Sequence, residues 1–404
     1  MKKFFLSFLT FILLVCSLPY QVVLADELEL PAQSAIAVEA DTGKILYEKD
    51  SEKKRDVGGL STLLTTYLIF EAIHEKKLSL KDPIKLSEKA LALNDIEGAG
   101  TLPMEANQYT VDQLLTALLV GNSSTAALAL AEKVGGSEKS FVEKMKQKLS
   151  EWGIQSPHLI NATGLNTQTI SGDPDGKGDE NQLSAYDIAV IAKHLLQDFP
   201  EVTKYTSKPT ALFSNTQIEN PNLMLEGMPN YRSGVDGLRV SNSTKGGITF
   251  AASTTQNGIH MITVVLGVEA VDGDPYARFV ATSSLMNYVV RTFVSSIVVK
   301  EGDPYGKSKA TVMDGKSDTV LAVAKKDFYI VEKQGSQAEP KIQFKSDQES
   351  FRAPVKSGTN LGKLHYTDPD KIGRGYLEDQ EPTVDMVAGR TIEKSFFLKV
   401  WWNE

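Results

Sequence analysis

AIAVEADTGKILYEKD, residues Ala35–Asp50, alternates apolar and polar side chains around a Thr42-Gly43 turn, the pattern of a β-hairpin. Helical spacing follows at once. Leu60, Leu63, Leu64, Tyr67, Leu68 and Ala72 recur every three or four residues, so a helix is expected from about Gly59 to His74 with one face buried. Further helices fit Val111–Gly121, Ser123–Val134, Ser137–Trp152 and Ser184–Asp198, with Thr110, Ser123, Ser137 and Ser184 as N-caps. Phe250–Thr255 and His260–Leu266 read as a second hairpin across Gln256-Asn257-Gly258, and Arg278–Val298 reads as a long closing helix. Past Val299, short apolar runs alternate with Gly, Pro and Asp, which predicts a small β-rich domain over 299–404 after a larger one over 26–298. The acidic, Gly-rich stretch Gly172–Glu180 reads as a solvated loop.

The 404 residues are 41% hydrophobic and 23% charged, a composition that excludes disorder and disulfide scaffolds and allows two domains with their own cores. A net charge of −8 and the absence of any basic block argue against nucleic acid as the partner. Residues 1–25 read as a signal peptide: Lys2 and Lys3, an apolar run from Phe4 to Leu18, and Val23-Leu24-Ala25 before the expected cleavage after Ala25. Pro19, Tyr20 and Gln21 end that run too early for a membrane span. Removing it takes two lysines and no acid, leaving −10, and also removes Cys16, the single cysteine. An exported protein without thiols is the expectation.

Several segments together resemble the low-molecular-mass penicillin-binding proteins, the serine D-alanyl-D-alanine carboxypeptidases of Gram-positive cell walls. The opening hairpin, LLTTYLIFEAI at 63–73, Asn161-Ala-Thr-Gly-Leu165, SAYDIAVIAKHL at 184–195, NLMLEGMPNYRSGVDGL at 222–238, NGIHMITVVLGVE at 257–269, PYARFVATSSLMNYV at 275–289 and SFFLKVWWN at 395–403 carry the likeness. It implies an α+β penicillin-binding, β-lactamase-like fold, a helical cluster on an antiparallel sheet, followed by a small all-β domain. It also implies peptidoglycan stem peptide as substrate and no cofactor.

Active members of that family use S-x-x-K, in which serine attacks the D-Ala-D-Ala carbonyl and lysine assists proton removal. Aligned on LLTTY, these slots hold Gly59 and Thr62. Ser61 is two positions from 59, about 200° around a helix, and is expected to face elsewhere. The S-x-N motif aligns with Asn122-Ser123-Ser124, so that Asn122 and Ser124 exchange hydroxyl and amide, and K-[ST]-G aligns with Arg239, Val240 and Ser241. The literal matches, Ser51–Lys54 and Lys356-Ser357-Gly358, read as surface structure, and no S-x-N occurs. Arg239 is expected either to grip a ligand carboxylate or to pair with Asp236.

The five histidines lack metal-ligand spacing, so no metal is expected. Asn161-Ala-Thr163 reads as a turn rather than a glycosylation site, Trp401 and Trp402 as core aromatics, and no membrane anchor is evident. Two functions follow. One is an exported, non-catalytic homologue that binds stem peptide or a cell-wall protein; the other is an active serine carboxypeptidase that trims the terminal D-alanine. Loss of the nucleophile favours the first, because catalytic groups of this kind act as a unit.

Overall fold

A computed structural model describes residues 28–100, 102–171 and 178–396. The signal-peptide reading, with Cys16, most of the 172–180 loop and Trp401 and Trp402 lie outside them.

Five strands, β1 (Ala32–Glu39), β2 (Ile45–Lys49), β3 (Val235–Ser243), β4 (Gly247–Gln256) and β5 (Ile259–Val268), form one antiparallel sheet ordered β2-β1-β5-β4-β3. Both expected hairpins are present. The period-two alternation of a strand divides β5 between two cores: Ile262, Val264 and Leu266 face a helical cluster, while Ile259, Met261 and Val265 face the opposite side. Both faces are covered, so the middle of β5 is apolar on both sides, from Ile262 to Leu266 but for the buried Thr263.

The helical cluster contains α1 (Thr62–His74), α2 (Val111–Leu119), α3 (Ser124–Gly135), α4 (Glu138–Glu151) and α5 (Ala185–Asp198). Thr110, Ser123, Ser137 and Ser184 each accept a hydrogen bond from a first-turn backbone N–H, and those of Thr110 and Ser184 are full capping boxes with Gln113 and Asp187. The helix expected from Gly59 instead begins at Thr62, after a 3-10 turn over Gly58–Ser61. Gly58 explains the delay: its φ is +53°, and a Cβ there would sit 2.4 Å from the Asn242 carbonyl oxygen.

On the other face lies α6 (Ala277–Thr292), packed by Leu285, Met286 and Val289. Its expected extension to Val298 is wrong. The chain turns into a strand, Phe293–Val299, that pairs with Phe328–Lys333, as β-branched Val294, Ile297, Val298 and Val299 favour. The β-rich segment beyond it folds around a separate core as a six-stranded sheet built from Pro304–Met313 to Thr383–Ala388.

Residues 368–380 of that segment reach back across the first hairpin. Ile45 N–H donates to Gly375 O and Leu377 N–H to Gly43 O, both at 2.8 Å, and Leu377 enters the helical core. Lys44, fully buried, pairs with Asp368 at 2.8 Å and donates to Val331 O at 2.7 Å, while the Tyr376 hydroxyl donates to Asp368 at 3.0 Å. Glu378 accepts from Lys193 at 2.8 Å and bonds His194 at 2.9 Å, both on α5. Burial opposes ionisation of Glu378, but the bonds from His194 and Lys193 outweigh it and hold its pKa down at about 2. Among the described residues no helix is long and apolar enough to cross a membrane.

Candidate functional site

A cleft of about 610 Å³ lies between the helical cluster and the edge strand β3, with Gly59, Asn122, Ser124, Arg239, Val240 and Ser241 in its wall. Six of the seven expected positions therefore meet at one place. Thr62 does not line it; this buried residue turns its hydroxyl back onto the Gly59 carbonyl at 2.6 Å. Ser61 is also fully buried, donating to Gly58 O at 2.9 Å and accepting from Asn181 Nδ2 at 2.8 Å.

Three consecutive residues of β3 are tied to the helical side. The Ser241 hydroxyl accepts from Gly59 N–H at 2.7 Å, the Val240 carbonyl accepts from Asn122 Nδ2 at 3.0 Å, and Arg239 Nη1 donates to Leu118 O at 2.6 Å. Leu118 is in the last turn of α2, where carbonyls lack intrahelical partners and the helix dipole favours a cation. Asn122 reaches across from a left-handed conformation, φ 58°, which asparagine tolerates better than most residues. Ser123 is spent on capping α3, and Ser124 N–H donates to Ala99 O at 2.8 Å.

Arg239 is only 5% exposed and has no carboxylate within ion-pair distance among the described residues. Its Nε has no partner. Desolvation pushes its pKa down to about 9, which still leaves a cation at neutral pH. The alternative pairing with Asp236 does not form. The β3–β4 register shifts between Gly237 and Val235, which leaves Asp236 in a bulge, and the Asp236 carboxylate takes the Ser253 hydroxyl instead.

A second buried guanidinium, Arg278 at the start of α6, donates to Ser241 O at 2.7 Å and Thr249 O at 3.1 Å and bonds the Asn242 side chain. Desolvation lowers its pKa to about 10. Sequence reading passed over it, although PYARF carries it within a segment of family likeness. Glu180 was also missed. Expected in a solvated loop, it is buried in the cleft wall, where it accepts from Asn166 Nδ2 at 2.9 Å, Ser243 Oγ at 2.6 Å and Thr244 N–H at 2.9 Å.

Asn161 closes its turn as read, accepting from Gly164 N–H at 2.7 Å and donating to Leu165 O at 2.8 Å. Gly164, at φ +75°, presses that turn onto Gly58, so closely that a Cβ would fall 2.2 Å from the Gly58 carbonyl oxygen. The literal motifs lie outside the cleft. Ser51 is buried rather than at the surface and donates to Glu48, Lys54 pairs with Asp187, and Gly358 is a turn residue at φ +84°.

The sequence model described as D-alanyl-D-alanine carboxypeptidase matches residues 21–270, and that of the penicillin-binding protein 5 C-terminal domain matches residues 293–394. The chain belongs to the D-alanyl-D-alanine carboxypeptidase family. It is 27% identical to D-alanyl-D-alanine carboxypeptidase DacF of Bacillus subtilis over 344 residues, 84% of this chain and 82% of the relative. A solved structure described as a peptidoglycan synthesis regulatory factor (PBP3) from Streptococcus pneumoniae is 45% identical, with a TM-score of 0.86 over 91% of this chain and all of that one. Penicillin-binding protein 5 of Haemophilus influenzae shares the fold at 23% identity and a TM-score of 0.70, covering 92% of this chain and all of that one. The fold is thus the penicillin-binding one with an all-β C-terminal domain, and the family ties the chain to peptidoglycan metabolism.

Within this family the cleft can be read position by position. Gly59, which the sequence reading sets at the serine slot, has no side-chain nucleophile. A Cβ there would meet Ser241 Oγ at 2.9 Å and Arg239 Nη2 at 3.7 Å. The site holds cations and hydrogen-bond donors suited to a carboxylate or carbonyl, and no hydroxyl at residue 59 to attack one.

Proposed function

We propose that this chain is an exported, non-catalytic member of the carboxypeptidase family that binds the carboxylate end of a peptidoglycan stem peptide. One observation carries the reading. The position of the nucleophile is Gly59, its N–H is already taken by Ser241, and the cation facing it, Arg239, is buried with no carboxylate partner among the described residues. A buried charge without a counter-ion costs several kcal/mol in an interior (, order of magnitude), and an incoming carboxylate supplies that counter-ion.

The test is acylation. The purified protein should take no label from a fluorescent penicillin and release no D-alanine from a stem-peptide mimic; a stoichiometric acyl adduct on any residue returns the chain to the enzymes. Export is proposed with cleavage after Ala25, so the secreted protein should begin at Asp26 on N-terminal sequencing. A retained Met1 refutes that.

A further inference from the structure

We infer that the cleft takes a peptide that ends at the depth of residue 59, one already trimmed to a single terminal D-alanine, in preference to one ending in D-Ala-D-Ala. The inference rests on the stem-peptide reading above and narrows its ligand.

Cutting a peptide bond at residue 59 requires room on both sides of it, for the acyl part and for the residue that leaves. On the Arg239–Val240 side that room is occupied. The Asn122 amide crosses the cleft to the Val240 carbonyl, and Arg239 is held inward by the Leu118 carbonyl. Its Nη2 lies only 3.7 Å from where a Cβ on Gly59 would be. The guanidinium therefore stands where the reacting carbonyl of a longer peptide belongs, rather than a residue beyond it. On the other side, Asn242, Ser243 and Thr244 of β3 and the following turn line the cleft together with Leu165 and Asn166.

A peptide lying in that part runs out at residue 59, so its terminal carboxylate, and not an internal amide, meets Arg239. The carboxylate can then accept from Nη2, the guanidinium nitrogen beside Gly59. An amide carbonyl at the same place offers one neutral oxygen and leaves the charge uncompensated. A peptide with one terminal D-alanine is what a D,D-carboxypeptidase leaves behind, so this chain reads the product of its active relatives.

Isothermal titration calorimetry of the exported chain against Nα,Nε-diacetyl-L-Lys-D-Ala and the matching D-Ala-D-Ala peptide tests the inference. The shorter peptide should bind at least about tenfold tighter, a difference of about 1.4 kcal/mol. The shorter peptide should lose that advantage in Arg239→Gln, which removes the charge that tells a terminal carboxylate from an amide. Equal binding, or tighter binding of the longer peptide, overturns the inference and leaves the stem-peptide reading standing. An undiminished preference in Arg239→Gln also overturns it, because the guanidinium would then not read the carboxylate. If neither peptide binds the wild-type chain, the stem-peptide reading itself falls.

Discussion

Ser241 Oγ lies 2.7 Å from the backbone nitrogen of Gly59, and each residue suits the other: the hydroxyl fills the space that any side chain at 59 needs, and the bare glycine leaves it there. The two residues are a matched pair, which makes them testable together.

Gly59→Ser alone should destabilise the fold by about 1 kcal/mol, the cost of crowding one atom group and losing one hydrogen bond. A Cβ at 59 would come within 2.9 Å of Ser241 Oγ. Adding Ser241→Gly should recover most of the loss. Denaturant unfolding of the single and double variants measures the coupling, and additive effects would contradict it.

On the non-catalytic reading, restoring chemistry needs more than a nucleophile. Gly59→Ser with Thr62→Lys should remain unlabelled by a reporter penicillin, because Ser241 and Asn122 still occupy the cleft and Thr62 does not line it. Adding Asn122→Ser, Ser124→Asn, Arg239→Lys, Val240→Thr and Ser241→Gly should yield slow acylation. Strong labelling of the first double variant would show that the other replacements are incidental.

The pair Lys44–Asp368 is buried on both sides, so removing one partner strands a charge. Lys44→Met should cost about 3–5 kcal/mol of stability, and Lys44→Met with Asp368→Leu markedly less. Equilibrium unfolding compares them. Equal losses would mean that packing, not charge, dominates at this joint.

Glu378 sets a pH dependence whose sign follows from linkage. Its folded pKa, about 2, is below the ordinary 4.5, so the unfolded chain binds the extra proton between those values. The stability it contributes is complete above about pH 4.5, is lost as pH falls toward 2, and is on the order of 3 kcal/mol. Glu378→Gln should flatten that part of the stability profile relative to wild type, and an unchanged slope between pH 5 and pH 3 (values chosen to bracket the ordinary carboxylate range,) would refute the assignment.

Local chemistry was legible wherever it dictated local structure. The hairpin at Ala35–Asp50 and the caps at Thr110, Ser123, Ser137 and Ser184 depend on residues within a few positions of each other, and all are present. Errors arose where distant groups decide. The closing helix gives way at Phe293 because a strand 35 residues later, Phe328–Lys333, is there to pair with it. Glu180 sits in an acidic stretch that looks solvated, yet Asn166, Ser243 and Thr244 converge on it. Arg239 and Asp236 are close in sequence, but Leu118 takes the one and Ser253 the other. Family likeness brought Gly59, Asn122 and Arg239 to one place; the bonds that now join them across the cleft could not be read from any motif.

The return of residues 368–380 to the first hairpin has a consequence for biogenesis. Strand β2 is at the edge of its sheet, and the backbone that covers its start at Ile45 comes from Gly375, 330 residues later. A ribosome delivers that covering segment only after the whole of the first domain has been made. Until then the earliest part of the mature chain presents an unpaired strand edge, the kind of surface on which copies of a protein aggregate. The amino-terminal domain therefore cannot complete its native surface until residues 368–380 have been made, and its folding waits on the segment that follows it.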